Sequence, residues 1–330
     1  MNRLRKVLVT PPNFDEEAAA LLRAHGCEAI VPDAPESAFS EDALAALLAD
    51  KQGWIIGPHA NVTRSLVARA PSCLVFARRG VGYERLDVEA IRGLGRLAAI
   101  AAGGNDDSVA DHVVGLMLAV GRRMREQQAA MIAGDSVIRI STDLFQKTVG
   151  IVGLGRTGRT LARRLRGFDV RILAFSPRPD REFCGANGIV CADMETLLRT
   201  SDYVSLHAPL TPQTRHMIGA AELAMMHPHA FLINAGRGGL VDDAALLEAL
   251  RGKIIAGAGL DCLEAENDPA CAGTARELVA LPNVVATPHS AASTREGLAR
   301  TNLVAARIVA LALSGGAVPP ECIVADGRGA

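Results

Sequence analysis

Gly153-Leu154-Gly155-Arg156-Thr157-Gly158 lies near the middle of the chain, and its spacing suits the close approach of backbone to a pyrophosphate. A glycine run of this kind is weak evidence by itself, but here its flanks agree with it. Thr148-Val149-Gly150-Ile151-Val152 in front is a short apolar run that reads as a buried parallel strand. Leu161, Ala162 and Leu165 behind it keep helical spacing, and Gly167 stands where a helix would stop. In such a strand–turn–helix the first glycine permits the tight turn and the second lets backbone approach the phosphates. The third packs helix on strand, and the helix N-terminus offers free N–H groups to the anion. The plain alternative is a glycine-rich strand–helix turn without a ligand.

Three further residues could do chemistry. Arg237 follows the apolar run Phe231–Asn234, Glu266 follows Ala258–Leu260, and His289 follows Val284–Thr287. In an open parallel sheet, ligands bind beyond the carboxyl ends of the strands, so the three could share one crevice. An arginine fork binds a carboxylate bidentately and would orient a 2-oxo or 2-hydroxy acid. A histidine can pass a proton to or from the C2 oxygen, and a carboxylate beside it favours the imidazolium. With a nicotinamide, the set would perform hydride transfer at C2. Each residue alone also fits a duller part: a surface charge, a solvated acid, a capping histidine.

The elements that must position these groups alternate along the chain. Strands are predicted at Lys6–Thr10, Glu28–Val31, Trp54–Gly57, Leu74–Arg78 and Leu97–Ala101. Amphipathic helices are predicted at Phe14–Ala24, Ser40–Leu48 and Arg64–Arg69. Ala101–Asn105 then breaks the pattern as a hinge. A long helix follows, with Ser108 as N-cap and Asp111 in capping-box position, apolar to Gly121 beyond one stripe and therefore buried. From Val149 the alternation restarts, with strands at Val170–Phe175, Tyr203–His207, Ala230–Asn234, Ala256–Leu260 and Val284–Thr287. A last helix spans Gly297–Leu313, and Gly315–Ala330 reads as loop. The expected class is α/β, with two doubly wound parallel-sheet domains of Rossmann-like or flavodoxin-like type. The dinucleotide domain, 105–291, is inserted into a discontinuous substrate domain, 1–104 with 292–330.

Composition narrows the function classes. A length of 330 residues suits two domains. A net charge of −1 gives no global field for nucleic acid or an acidic membrane, and 3% aromatics leave few stacking platforms. The seven cysteines are scattered and never in C-x-x-C spacing, which argues against a disulfide framework or a zinc site and for a reducing compartment. His227-Pro228-His229 lacks a third ligand at useful spacing, so no metal is expected. His112 reads as packed or cofactor-facing, and Arg122-Arg123-Met124-Arg125 as positive charge at a helix end. The basic start, Met1–Lys6, runs into strand-like Val7-Leu8-Val9 without a signal-peptide core, and no apolar run is taken as long enough to span a bilayer. A soluble cytoplasmic protein is the expectation.

Several longer motifs, in order, resemble the D-isomer-specific 2-hydroxyacid dehydrogenases over nearly the whole chain. They are Arg79-Gly80-Val81-Gly82-Tyr83, Asn105-Asp106-Asp107-Ser108-Val109-Ala110-Asp111-His112, the glycine fingerprint, and His207-Ala208-Pro209-Leu210-Thr211. They continue with Asn234-Ala235-Gly236-Arg237-Gly238-Gly239-Leu240-Val241-Asp242, Leu260-Asp261 and Pro288-His289-Ser290-Ala291-Ala292-Ser293-Thr294. The resemblance implies that Arg237 binds substrate, that His289 is the acid/base with Glu266 as its partner, and that N–H groups of Val81 and Gly82 hold the substrate carboxylate. It implies cofactor contacts at Gly153, Gly155, Arg156, Thr157, Gly158, Ser176, His207, Ala208, Pro209, Ala235, Gly236, Arg237, Asp261 and His289 through Ala292, Ala291 included. It also implies a homodimer packed through the cofactor domains.

Three departures from the family pattern shape the expectations. The family usually places proline directly after the catalytic glutamate, whereas Asn267-Asp268-Pro269 follows Glu266 here, which keeps Glu264 as an alternative partner for His289. NAD users place an acid near position 176 for the ribose 2′-OH. Ser176 cannot repel a 2′-phosphate, and Arg178 could bind one, which favours NADP(H) with NAD(H) as the alternative. Phosphoglycerate dehydrogenases carry an arginine where Gly57 stands, and the chain does not continue into a regulatory domain, so a phosphorylated substrate ranks second unless Arg78 and Arg79 compensate. Glyoxylate and hydroxypyruvate are the first substrates expected, D-3-phosphoglycerate the second. The rival of another class is a nicotinamide-sensing, corepressor-like binding protein.

Overall fold

The computed structural model describes residues Leu4–Gly329, so Met1–Arg3 of the basic start lie outside the described residues. The chain divides into two compact units, Met1–Asn105 with Thr294–Ala330, and Asp106–Ser293. The strands of the first run are β1 (Arg5–Val9), β2 (Cys27–Ile30), β3 (Gly53–Ile56), β4 (Val75–Arg78) and β5 (Leu97–Ile100). Those of the second unit are β6 (Thr148–Val152), β7 (Arg171–Phe175), β8 (Ile189–Cys191), β9 (Tyr203–Leu206), β10 (Phe231–Asn234), β11 (Gly257–Leu260) and β12 (Val284–Ala286). A last strand, β13 (Ile323–Asp326), belongs to the first unit.

The helices between them are α1 (Glu16–Ala24), α2 (Glu41–Leu48), α3 (Arg64–Arg69), α4 (Val88–Gly93), α5 (Asp106–Gly121) and α6 (Met124–Ile132). Next come α7 (Arg156–Leu165), α8 (Arg181–Ala186), α9 (Met194–Thr200), α10 (Ala220–Met225), α11 (Asp243–Arg251), α12 (Ala272–Ala280) and α13 (Arg295–Ser314).

In the first unit the sheet order is β13-β5-β4-β3-β1-β2, parallel except for β13. The parallel part has the flavodoxin-like order, reversing at β1. Strands such as Gly53–Ile56 are buried on both faces, which is why they read as continuous apolar runs. Helix α13 packs on this sheet so closely that a Cβ on Gly53 would meet Val309 Cγ1 at 2.9 Å. By length and composition, α13 is the one helix among the described residues that could cross a membrane, contrary to the expectation that no run is long enough. Its Ala305, Ile308 and Val309 are buried in the core of the unit, at about 1.5–3 kcal/mol for each large side chain, so it serves as a core helix.

In the second unit the order is β12-β11-β10-β9-β6-β7-β8, all parallel. The winding reverses between β6 and β9, the switch point beyond whose strand ends such sheets bind ligands. The expected α/β class with two parallel-sheet units holds.

Three local expectations are corrected. Gly315–Ala330 is not all loop, because β13 pairs antiparallel with β5 and covers an edge that would otherwise be open. Helix α5 starts at Asp106, not after Ser108; Asp106 and Asp107 occupy its first turn, where acids suit the helix dipole, and Ser108 is buried inside it. Helix α7 ends at Leu165 in a 3₁₀ turn, Arg166–Phe168, that carries Gly167 within it.

Candidate active site

The glycine turn joins β6 to α7, and two of its glycines, Gly153 and Gly158, have separate steric reasons. Gly153 has φ +99°, and a Cβ there would meet the His207 carbonyl carbon at 2.7 Å. A Cβ on Gly158 would lie 2.2 Å from the Gly153 carbonyl oxygen, so only glycine lets the helix sit this close to the strand. Gly155, the N-cap of α7, faces open space. That open cradle, with the N–H groups of the first turn of α7 around it, fits the pyrophosphate of a dinucleotide. Beside it, Thr157 Oγ1 donates to Asp106 Oδ1 at 3.2 Å, and Arg156 Nε lies 3.6 Å from Asp106 Oδ2.

At the end of β7, Ser176 is half-buried, and Arg178 is exposed with no ion pair among the described residues. His207, after β9, shares a 2.8 Å hydrogen bond with Ser205 Oγ, and the enclosure of its ring pushes its pKa down to about 4. Ala208 and Pro209 follow it toward the surface.

Arg237, Glu266 and His289 stand past the carboxyl ends of β10, β11 and β12, three neighbouring strands. Asn234 shapes the first turn: its Oδ1 accepts from Gly236 N–H at 3.1 Å, and its Nδ2 donates to the Arg237 carbonyl at 3.0 Å. Ala235 and Gly236 lie half-buried in that turn. Gly238 is obligatory, since a Cβ would fall 2.1 Å from the Leu263 carbonyl oxygen.

His289 Nδ1 donates to Glu266 Oε2 at 2.6 Å, and Glu266 Oε1 accepts from Leu263 N–H at 2.8 Å. The carboxylate is thus fixed on both oxygens, and His289 Nε2 is the ring nitrogen left for a substrate. The hydrogen bond to Glu266 raises the His289 pKa; the loss of water around the ring and the Arg237 charge oppose it.

Glu264 goes elsewhere. It is buried, and its Oε1 accepts from His216 Nε2 at 2.6 Å and from Arg215 at 3.2 Å. Its Oε2 also accepts from Asp243 N–H at 3.2 Å, and its own N–H donates to Asp243 Oδ2 at 2.9 Å; the Asp243 carboxyl is pushed up to about 6, mainly by burial.

His289 has φ +49°, a left-handed backbone for a non-glycine residue. Asp261 sustains it. The buried Asp261 carboxylate accepts from Thr287 Oγ1 at 2.6 Å, Ser290 N–H at 2.8 Å and Ala291 N–H at 3.0 Å. Its carbonyl accepts from His289 N–H at 2.9 Å. Within the protein, Asp261 therefore positions the histidine turn, beyond the cofactor contact that the resemblance implied. His112, on α5, is part of the same network, with Nε2 2.9 Å from Thr287 Oγ1.

Cys262, Glu266 and His289 carry ligand atoms within 4.8 Å of one another, the types that bind soft metal ions. Burial pushes the Cys262 thiol pKa up and keeps it protonated, and Glu266 and His289 engage each other, so the cluster suits proton transfer better than ligation. His227 and His229 stack on each other, and His229 Nε2 lies 3.1 Å from Asp202.

In the first unit, Val81 and Gly82 follow β4 through Gly80, and their N–H groups have no acceptor among the described residues. Arg78 Nε donates to the Gly82 carbonyl at 3.1 Å, and the Arg79 guanidinium donates to the Pro12 carbonyl. Both arginines thus brace backbone. Sequence reasoning missed Glu36. It is buried, and its carboxylate accepts from Gly57 N–H at 2.7 Å, His59 N–H at 2.6 Å, Ala60 N–H at 3.0 Å and the Thr10 hydroxyl. No local pattern marks it, because Gly57 is 21 residues away.

A pocket of about 740 Å³ is not at this chemistry. It lies at the amino ends of the second unit's strands, where Lys147, Asp202, Phe231 and Ile140 line it.

Comparisons with known proteins agree with this geometry. Residues 114–291 match the family model of the D-isomer specific 2-hydroxyacid dehydrogenase, NAD binding domain. A glyoxylate reductase of Thermococcus litoralis is 38% identical over 300 residues, covering 86% of this chain and 84% of that protein. A D-3-phosphoglycerate dehydrogenase of Methanocaldococcus jannaschii is 32% identical over 316 residues, covering 94% of this chain but 58% of that protein, so the chain spans little more than half of that relative. The crystal structure of a D-lactate dehydrogenase with NAD+ from Lactobacillus jensenii, 28% identical, superposes with a TM-score of 0.80 over 97% of this chain and 99% of that one.

Proposed function

The chain belongs to the D-isomer-specific 2-hydroxyacid dehydrogenases, and from that premise we propose that it reduces a small unphosphorylated 2-oxo acid with NADPH, or oxidises the D-2-hydroxy acid. As a member it is an oxidoreductase that uses a nicotinamide dinucleotide. The observation that carries the assignment of roles is the hydrogen-bonded His289–Glu266 pair, past the ends of β12 and β11, beside the β10 end that carries Arg237.

A bound nicotinamide supplies or accepts the hydride at C2. Arg237 orients the substrate through its carboxylate and the C2 oxygen. His289 Nε2 gives its proton to that oxygen during reduction and removes it during oxidation. Glu266 holds the ring through Nδ1 and stabilises the imidazolium. We assign the unsatisfied N–H groups of Val81 and Gly82 to carboxylate recognition.

Glyoxylate and hydroxypyruvate are the first candidates, phosphoglycerate the second. Glu36 supports that order: its carboxylate occupies the loop after β3, where an arginine at position 57 would have to stand, and an acid there disfavours a phosphate. Ser176 and exposed Arg178 support NADPH over NADH.

We further propose a homodimer through the second unit and a cytoplasmic location. Exposed Met131, Ile132, Val137, Ile138 and Ile140 form an apolar segment beside the large pocket, which supports pairing with a second copy. The free cysteines support a reducing compartment. The test of the function is cofactor oxidation, followed by absorbance, across a panel of 2-oxo acids with NADPH and NADH in parallel. Turnover of glyoxylate or hydroxypyruvate with NADPH is expected; absence of turnover with every acid and both cofactors would overturn the reading.

A further inference from the structure

Two of the seven cysteines face each other at the outer edge of the cofactor sheet. Cys184 lies in α8 and Cys191 ends β8. The Cys191 thiol donates to Cys184 Sγ at 3.0 Å, about 1 Å beyond a covalent S–S bond. Cys184 is buried and Cys191 exposed. Strand β8 is the last in its sheet, so Cys191 is open to small solutes from solvent.

We propose that Cys184 and Cys191 form a reversible oxidation site that takes hydrogen peroxide and loosens the hold on the dinucleotide. The Cys191 thiolate attacks one peroxide oxygen, so that an S–O bond forms, the O–O bond breaks and hydroxide leaves. Cys184 sulfur then attacks the sulfenic sulfur of Cys191. The S–S bond forms, the S–O bond breaks, and the Cys184 proton leaves with the oxygen as water. In total, two thiols and one peroxide give one disulfide and two waters. A cellular dithiol reverses the step by exchange. The order of attack follows from the environments: burial pushes the Cys184 thiol up to about 11, which leaves the first attack to Cys191. A transient disulfide of this kind is compatible with a reducing compartment.

The link to the cofactor is physical and rests on the reading of the glycine turn given above. Asp180, the N-cap of α8, pairs with Arg159 at 3.0 Å, and the Arg159 guanidinium stacks on the Phe183 ring at 4.6 Å. Arg159 Nε donates to the carbonyl of Leu154, inside the glycine turn, at 3.2 Å. Cys191 itself is in register with Ala174, two residues before Ser176. Drawing α8 onto β8 by about 1 Å, the gap to a covalent bond, pulls on both ends of the dinucleotide cradle.

The experiment treats the reduced full chain with a small excess of hydrogen peroxide, blocks remaining thiols by alkylation, and maps peptides by mass. NADPH affinity is measured by fluorescence before and after oxidation. A Cys184–Cys191 linked peptide is expected, lighter by two hydrogens and cleaved by dithiothreitol, with NADPH bound about threefold or more weakly. Cys191→Ser, at an exposed position, should fold normally, form no link and keep its affinity after peroxide. If Cys184 and Cys191 are both recovered alkylated, or separately over-oxidised, the proposal fails. A linked peptide with unchanged NADPH affinity overturns the coupling to the cradle. If even the reduced chain binds neither NADPH nor NADH, the cofactor assignment fails instead, and peptide mapping still decides the disulfide.

Discussion

Glu264 and Glu266 stand two residues apart in one 3₁₀ turn, yet only Glu266 reaches His289, at 2.6 Å, while Glu264 is held by His216 and Arg215. A 3₁₀ turn rotates about 120° per residue, so a two-residue step points the two carboxylates in different directions, Glu264 into the protein and Glu266 toward the surface.

The first prediction concerns pH. His289 holds its proton above the ordinary imidazole range because Glu266 accepts from Nδ1. Reduction needs that proton, so reductive kcat/KM should fall as pH rises through the His289 pKa, while the oxidative rate rises. Glu266→Gln should move the controlling pKa down, and Glu264→Gln should leave it in place. His289→Gln should cost about a hundredfold or more in kcat. The pH profiles of the two glutamine variants are decisive: a shift confined to Glu264→Gln would move the partner by two residues.

Asp261→Asn turns one acceptor of the histidine turn into an NH₂ group facing backbone N–H donors. It should cost about 1–3 kcal/mol in denaturant unfolding, because buried donors lose their partner. Since the turn carries His289 at φ +49°, kcat should fall about tenfold or more at saturating cofactor. A rise in cofactor KM alone, with kcat intact, would show that Asp261 acts on the dinucleotide and not through the histidine.

Arg178→Ala tests cofactor choice. Removing one charge-assisted contact to the 2′-phosphate should lower kcat/KM with NADPH by about tenfold and leave NADH nearly unchanged. A wild type that prefers NADH, together with an inert Arg178→Ala, would make position 178 a plain surface arginine.

Glu36→Ala strips the acceptor from Gly57, His59 and Ala60 N–H groups. Urea unfolding should show a loss of about 2–4 kcal/mol. The wild type should turn over a phosphorylated 2-oxo acid far more slowly than glyoxylate or hydroxypyruvate. Equal rates on the two would remove Glu36 as a barrier to phosphate.

Light scattering at micromolar concentration should give the mass of two chains. Ile138→Asp with Ile140→Asp, both at exposed positions, should shift it to one chain with helix content unchanged. A wild type that is already monomeric contradicts the pairing.

The sequence alone determined whatever depends on neighbours in the chain. Continuous apolar runs marked most of the strands, because both faces of a parallel sheet are buried, and helical spacing marked α1, α2, α3, α5, α7 and α13 but not the short helices between them. The glycine turn was legible because its two steric demands, at Gly153 and Gly158, and the open cradle at Gly155 all fall within six consecutive residues. Arg237 and His289 could be marked because parallel strands end where ligands bind. The tertiary structure decided what depends on distant partners. β13 looked like loop because it gains its partner, β5, only across more than two hundred residues. Glu36 carried no signal because its donors come from Thr10 and from the loop after β3. The choice between Glu264 and Glu266 needed His216, Arg215 and Asp243 to claim one carboxylate and Leu263 to fix the other. Spacing cannot rank two acids two residues apart; the hydrogen bonds available to each after folding can.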